Sequence, residues 1–202
     1  TKETSGGFVE VAGINENWVL DAYGYGGLKK DGSGTPALWF TFQNGPINLR
    51  LAEYDVNETF EKENNQKNAK SKLTDDEAVD KAYNAQDGRL VQIIRCFLNK
   101  EEEVLTGKGF EELSKNIIAL LDSKGKNKSE KIRLKVIYNK DGYLTVSTKN
   151  GRFMQLAKDP NNLILSDWET NEIKNNKKND ATPEAGLATA NGSTSTVKKG
   201  EF

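Results

Sequence analysis

Two kinds of side chain grip an unpaired nucleic-acid strand: cations that follow its phosphates, and flat rings on which bases stack at about 1 to 3 kcal/mol each. Both kinds gather late in this chain. Between residues 124 and 152, nine basic residues (124, 126, 128, 131, 133, 135, 140, 149, 152) stand against two acids (130, 141), a net of plus seven. The whole chain, with 29 basic and 30 acidic residues, is almost neutral, so the charge is a local field. Reading alternate positions as facing solvent puts Lys131, Arg133, Lys135 and Tyr143 on one surface, with Arg152 and Phe153 just beyond. Tyr23, Tyr25, Trp39 and Arg50 fall on the corresponding faces of earlier segments, and Lys29 and Lys30 on an adjoining loop. The expected roles are stacking for Tyr23, Tyr25, Trp39 and Tyr143, phosphate contact for Arg50, Lys131, Arg133, Lys135 and Arg152, and clamping of the strand by Lys29 and Lys30. Alternating lysine and arginine is also the ordinary pattern of a solvated strand face. It is the coincidence with aromatic rings that carries the reading.

Other chemistries find less support. The chain has no histidine, which removes His-containing triads, His general bases and Cys/His zinc sites. Cys96 is the single cysteine and sits among Ile93, Ile94 and Phe97, the setting of an inert buried thiol. Gly24, Gly26 and Gly27 do not complete a dinucleotide fingerprint, and Thr106-Gly107-Lys108-Gly109 lacks the spacing of a phosphate-binding loop. The run from Asp31 to Thr35 has Phe42 where a calcium loop requires a glutamate. Consecutive acids at 101–103 and 111–112 scatter around their segment instead of converging. The expectation is a non-enzymatic protein without cofactor or metal. No apolar run approaches about 18 residues and no basic-then-apolar leader is seen, so the expected setting is the cytoplasm, away from membranes.

The elements that must position these residues follow from periodicity. Residues 17–25 alternate with Trp18, Leu20 and Ala22 on one face and Val19, Asp21, Tyr23 and Tyr25 on the other, a first strand. A flexible basic loop follows at 26–36. Leu38, Phe40 and Phe42, then Ile47, Leu49 and Leu51, alternate on either side of Asn44-Gly45 and predict a tight hairpin. Residues 53–80 carry nine acids and four lysines, net minus five, and read as the start of an acidic, helical insertion covering 53–122. Thr74 and Glu77 form a capping box that starts a helix at Asp75. It continues through Leu90, Ile93, Ile94 and Phe97, with a break expected near Asp87-Gly88. A second helix spans 110–121, with Phe110, Leu113, Ile117 and Leu121 on one face. Strands four and five flank the turn at 139–142, and further short strands are expected at 153–156 and 163–165. Beyond Trp168 apolar material runs out, so residues 1–170 read as one domain and 171–202 as a disordered tail. The predicted fold is α+β: an OB-fold-like five-stranded antiparallel barrel with the helices between strands three and four.

Particular residues also carry a resemblance. Gly6-Gly7-Phe8, Gly13-Ile14-Asn15-Glu16-Asn17 and Leu38-Trp39-Phe40-Thr41-Phe42, with Arg133-Leu134-Lys135-Val136-Ile137-Tyr138 and Gly142-Tyr143-Leu144, resemble bacteriophage-encoded single-stranded DNA-binding proteins over residues 6–167. The resemblance implies an OB-fold that coats single-stranded DNA in phage replication or recombination, with no catalysis or metal. It also implies a tail ending in an aromatic residue that recruits replication proteins. This tail departs from the acidic pattern: five lysines (174, 177, 178, 198, 199) outnumber four acids (172, 180, 184, 201), and only Glu201-Phe202 keeps the terminal motif. The alternative readings are a phage structural or assembly protein using the same hairpin for protein contacts, and a carbohydrate-binding barrel.

Overall fold

The computed structural model describes residues 11–98, 106–123, 130–149, 151–177 and 187–189. Among them seven strands share one sheet, three of the four helices pack against it, and the remaining one lies against a helix. The strands are β1 (Gly13–Gly26), β2 (Ala37–Asn44), β3 (Ile47–Tyr54), β4 (Ile132–Tyr138), β5 (Leu144–Val146), β6 (Met154–Leu156) and β7 (Leu187–Thr189), and the helices α1 (Glu58–Lys67), α2 (Asp75–Leu98), α3 (Phe110–Ser123) and α4 (Asp167–Asn175). The order across the sheet is β5-β4-β1-β2-β3-β7, with β6 also paired to β4. The α+β class is therefore as expected, but the sheet is open and not a closed five-stranded barrel. β5 lies beside β3, yet no ladder joins them; the free edge of β3 instead pairs in parallel with β7.

The β2–β3 hairpin forms because its apolar residues recur every second position and its turn admits a left-handed residue. Gly45 has φ +58°, and the ladder ends at Asn44 opposite Ile47, leaving Gly45-Pro46 as the two-residue loop. Leu38, Phe40, Phe42, Leu49 and Leu51 are buried on the inner face. Against them pack the expected stripes of the helices, Leu90, Ile93, Ile94 and Phe97 from α2 and Phe110, Ile117 and Leu121 from α3. The capping box starts α2 as predicted. The Thr74 backbone N–H donates to Glu77 Oε2 at 2.7 Å and the Glu77 N–H to Thr74 Oγ1 at 3.2 Å. Gly88 does not break the helix, because it is exposed and its conformational cost falls on one residue in twenty-four.

Three further expectations are corrected. Residues 163–165 form no strand; they lead into α4, a helix beyond the predicted end of the core. Part of the expected disordered tail is thus ordered as α4 and β7, while 178–186 and 190–202 lie outside the described residues. A helix not foreseen, α1, buries no residue; Asn57 is its N-cap, and Lys62 to Asp76 and Glu58 to Tyr83 tie it to α2. The basic β1–β2 loop is not a loose connector. Asp31 Oδ1 accepts from the Ser33 N–H at 2.9 Å and from Ser33 Oγ at 2.7 Å, and the Gly32 N–H donates to Lys29 O at 2.9 Å. The bonds from the Ser33 hydroxyl and N–H lower the pKa of the Asp31 carboxyl. A Cβ on Gly27 would run into the carbonyl oxygens of Gly32 and Ser33. Gly27→Ala should accordingly lower the melting temperature and open this loop to proteolysis, which limited digestion will detect.

Candidate functional site

The sheet register decides which predicted site residues meet. Trp39 pairs with Gly24 on β1 and Ala52 on β3, and Thr41 pairs with Arg50. Directly opposed residues share a face, so Trp39, Thr41 and Arg50 lie together on the outer face, opposite Phe40 and Leu51. The Arg50 guanidinium carbon sits 5.3 Å from the centroid of the Trp39 ring, a cation–aromatic pair in which both partners stay half-exposed. The ring also lies over Gly24, where an added Cβ would come within 2.7 Å of it. Gln43 and Asn48, opposed on the same face, extend the surface with amides. Lys29 and Lys30 are exposed on the loop leaving the end of β1.

Tyr23 and Tyr25 do not join this surface. The β1–β2 register shifts by a bulge between Leu20 and Ala22, which turns every later side chain of β1 over. Tyr23 is opposed to Phe40 and Tyr25 to Leu38, so both face the core, not the side of Trp39. Tyr25 meets Phe110 edge-on with centroids 6.2 Å apart, and the Tyr23 hydroxyl donates to Asp122 Oδ1 at 2.6 Å. The two tyrosines seat α3 on the sheet.

Arg133, Lys135 and Phe153 also leave the expected site. β4 is buried along both faces. Its inner positions Ile132, Leu134 and Val136 join the core, as the alternation predicted, but its outer positions are covered by α4 and the segment after β6. Arg133 is 7% exposed; its Nε donates to Glu16 Oε1 at 2.7 Å, and its Nη1 donates to the carbonyls of Leu156 and Asp159. Lys135 is 1% exposed, and its Nζ lies 3.2 Å from both carboxylate oxygens of Glu169, itself fully buried. Phe153 is wholly buried as well. None of the three can meet a ligand in this fold. Lys131 and Arg152 remain exposed, and Tyr143 is 38% exposed beside the β4–β5 turn, where its backbone N–H donates to Asn139 Oδ1 at 2.9 Å.

Sequence reasoning missed a second cation–aromatic pair, Lys149 Nζ lying 4.6 Å from the ring centroid of Trp168. It depends on α4, whose signal was legible. Ser166 and Glu169 form a capping box in which the Ser166 hydroxyl accepts from the Glu169 N–H and the Glu169 carboxylate accepts from the Ser166 N–H.

The titration of buried groups follows from the packing. Burial, then the negative charge of Asp159, pushes the Cys96 thiol from 9.0 up to about 12, and burial, with the bond to Asp122, pushes the Tyr23 phenol from 10.0 up to about 12. Both groups ionise less readily folded than unfolded. The stability they contribute is complete below the unfolded values of 9.0 and 10.0 and is lost as the pH rises toward about 12. Urea midpoints should fall across that interval, and Tyr23→Phe should flatten the upper part of the fall.

Among the described residues no helix is long and apolar enough to cross a membrane. Compared with known proteins, the chain matches no family model, no curated protein and no solved structure.

Proposed function

We propose that this chain is a sequence-tolerant, non-catalytic single-stranded DNA-binding protein of phage replication or recombination, working through the outer face of β2 and β3. The observation that carries the proposal is the Trp39–Arg50 pair, a ring and a cation 5.3 Å apart on a half-exposed strand face. A base stacks on the indole while the guanidinium meets the adjoining phosphate. Lys29 and Lys30 on the β1–β2 loop, and Lys131, Tyr143 and Arg152 around the later strands, extend the contact.

The strand order supports an OB-like reading of the fold. In that barrel the face of strands two and three and the loops after strands one and four bind oligonucleotides. Here those places are taken by Trp39 and Arg50, by Lys29 and Lys30, and by Tyr143, with β5 beside β3 as in a partly open barrel.

Titrating tryptophan fluorescence with oligo-dT tests the proposal. Quenching is expected, and five phosphate contacts (Lys29, Lys30, Arg50, Lys131, Arg152) give a slope of log affinity against log salt of about −3.5. No binding at low salt, or binding indifferent to salt, would sink it. Stoichiometric assembly of the chain without DNA would favour the structural or assembly alternative.

A further inference from the structure

The acidic insertion contains a cleft of about 550 Å³ between α1, α2 and the segment joining them. Several of the cations around it are already matched. Lys62 is paired with Asp76 at 3.1 Å and Lys67 with Glu63 at 3.1 Å. Arg89, which lines the cleft, is committed to buried Glu53 through bonds of 2.6 and 2.9 Å. The other three lysines between residues 53 and 89, Lys70, Lys72 and Lys81, make no ion pair with any described residue, and all three line the cleft. Glu61 is the one carboxylate among the lining residues, so the wall carries an excess of two positive charges inside a segment that is otherwise acidic.

We propose that this cleft binds the phosphoryl group of a nucleotide. Three lysines without an ion-pair partner, lining one concavity that holds a single carboxylate, are matched best by a compact anion of more than one charge. The floor fits the rest of such a ligand, because Ala78, Ala82 and Ala85 present a low apolar surface on which a ring can lie. The segment carrying Lys70 and Lys72 is held in place before any ligand arrives. Asn65 Nδ2 donates to Leu73 O at 3.0 Å and to Asp75 Oδ1 at 2.9 Å, and Asn68 Oδ1 accepts from the Lys70 N–H at 3.1 Å. Fixing the loop in advance reduces the ordering cost of binding. The cleft is independent of the Trp39 face and of the function proposed for it.

Calorimetric titration of the full chain with dTMP, inorganic pyrophosphate and a 5′-phosphorylated oligo-dT is the test, run on the wild type and on Lys70→Gln, Lys72→Gln and Lys81→Gln, singly and all three together. All three lysines are exposed, so the substitutions leave the fold intact. Binding of dTMP and pyrophosphate is expected, with about a tenfold loss for each lysine removed. If only the phosphorylated strand is lysine-sensitive, the site stands and its phosphate comes from a nucleic-acid end. Failure of all three ligands to bind at millimolar concentration and low salt, or binding unaltered in the triple substitution, overturns it. Trp39→Ala should leave dTMP binding at this cleft unchanged, so loss of oligo-dT binding at the sheet and loss of phosphate binding here are read separately.

Discussion

Glu169→Ala should lower the stability of this protein by about 3 to 5 kcal/mol, the cost of stripping one partner from a buried ion pair. For a chain of this length that is a fall of roughly 6 to 20 °C in Tm. The size of the effect comes from how completely the carboxylate is used. It meets Lys135 Nζ at 3.2 Å through both oxygens, accepts from Ser147 Oγ at 2.6 Å, and closes the capping box of α4 through the Ser166 N–H at 2.8 Å. Removing it leaves the buried ammonium without that carboxylate and unties α4 from β4 together. Lys135→Met made with Glu169→Leu should recover part of the loss, because replacing both charges with apolar groups of similar volume avoids an uncompensated charge. Ser147 and Ser166, which still lose their acceptor, set the remainder. Urea unfolding measures both variants, and a loss below about 1 kcal/mol for Glu169→Ala would mean that water reaches the pair.

Trp39→Ala should weaken oligo-dT binding by about 5- to 150-fold, the span corresponding to one lost base–ring stack, while far-ultraviolet dichroism stays that of the wild type. Half-exposure of the ring is what separates the two effects: the indole rests on the sheet surface over Gly24, and its removal opens no cavity in the core. Lys29→Ala with Lys30→Ala should reduce the salt slope by about 1.4, two contacts at about 0.7 each. Arg133→Gln supplies the contrast. Its guanidinium is tied to Glu16 and to two backbone carbonyls, so it should lower stability and leave the salt slope unchanged. Undiminished affinity in Trp39→Ala would remove the β2–β3 face from the site.

Trp39 and Arg50 are legible in the sequence as surface residues of adjacent strands because the β2–β3 hairpin is set by local rules: alternate apolar positions, and a turn that accepts a left-handed glycine. The same alternation puts Lys135 and Arg133 on a solvent face, yet both are buried. A strand whose outer face carries lysine and arginine looks identical in sequence whether that face meets water or a carboxylate. The carboxylates here, Glu16 and Glu169, stand 117 and 34 residues away.

By itself, the sequence determined the hairpin, the capped start of α2, the apolar stripes of α2 and α3, the inert setting of Cys96 and the ring–cation composition of the β2–β3 face. Each depends on residues a few positions apart, where periodicity and capping act. The tertiary structure decided which cations are free to meet a ligand. One bulge beside Asp21 turned Tyr23 and Tyr25 from the face of Trp39 to the core. α4, lying on the outside of β4, converted Lys135 from an expected phosphate contact into half of a buried ion pair, and Glu16 with the segment after β6 took up Arg133. Both outcomes turn on pairing between distant segments, where a one-residue shift or a single covering helix exchanges inside for outside without altering the local pattern.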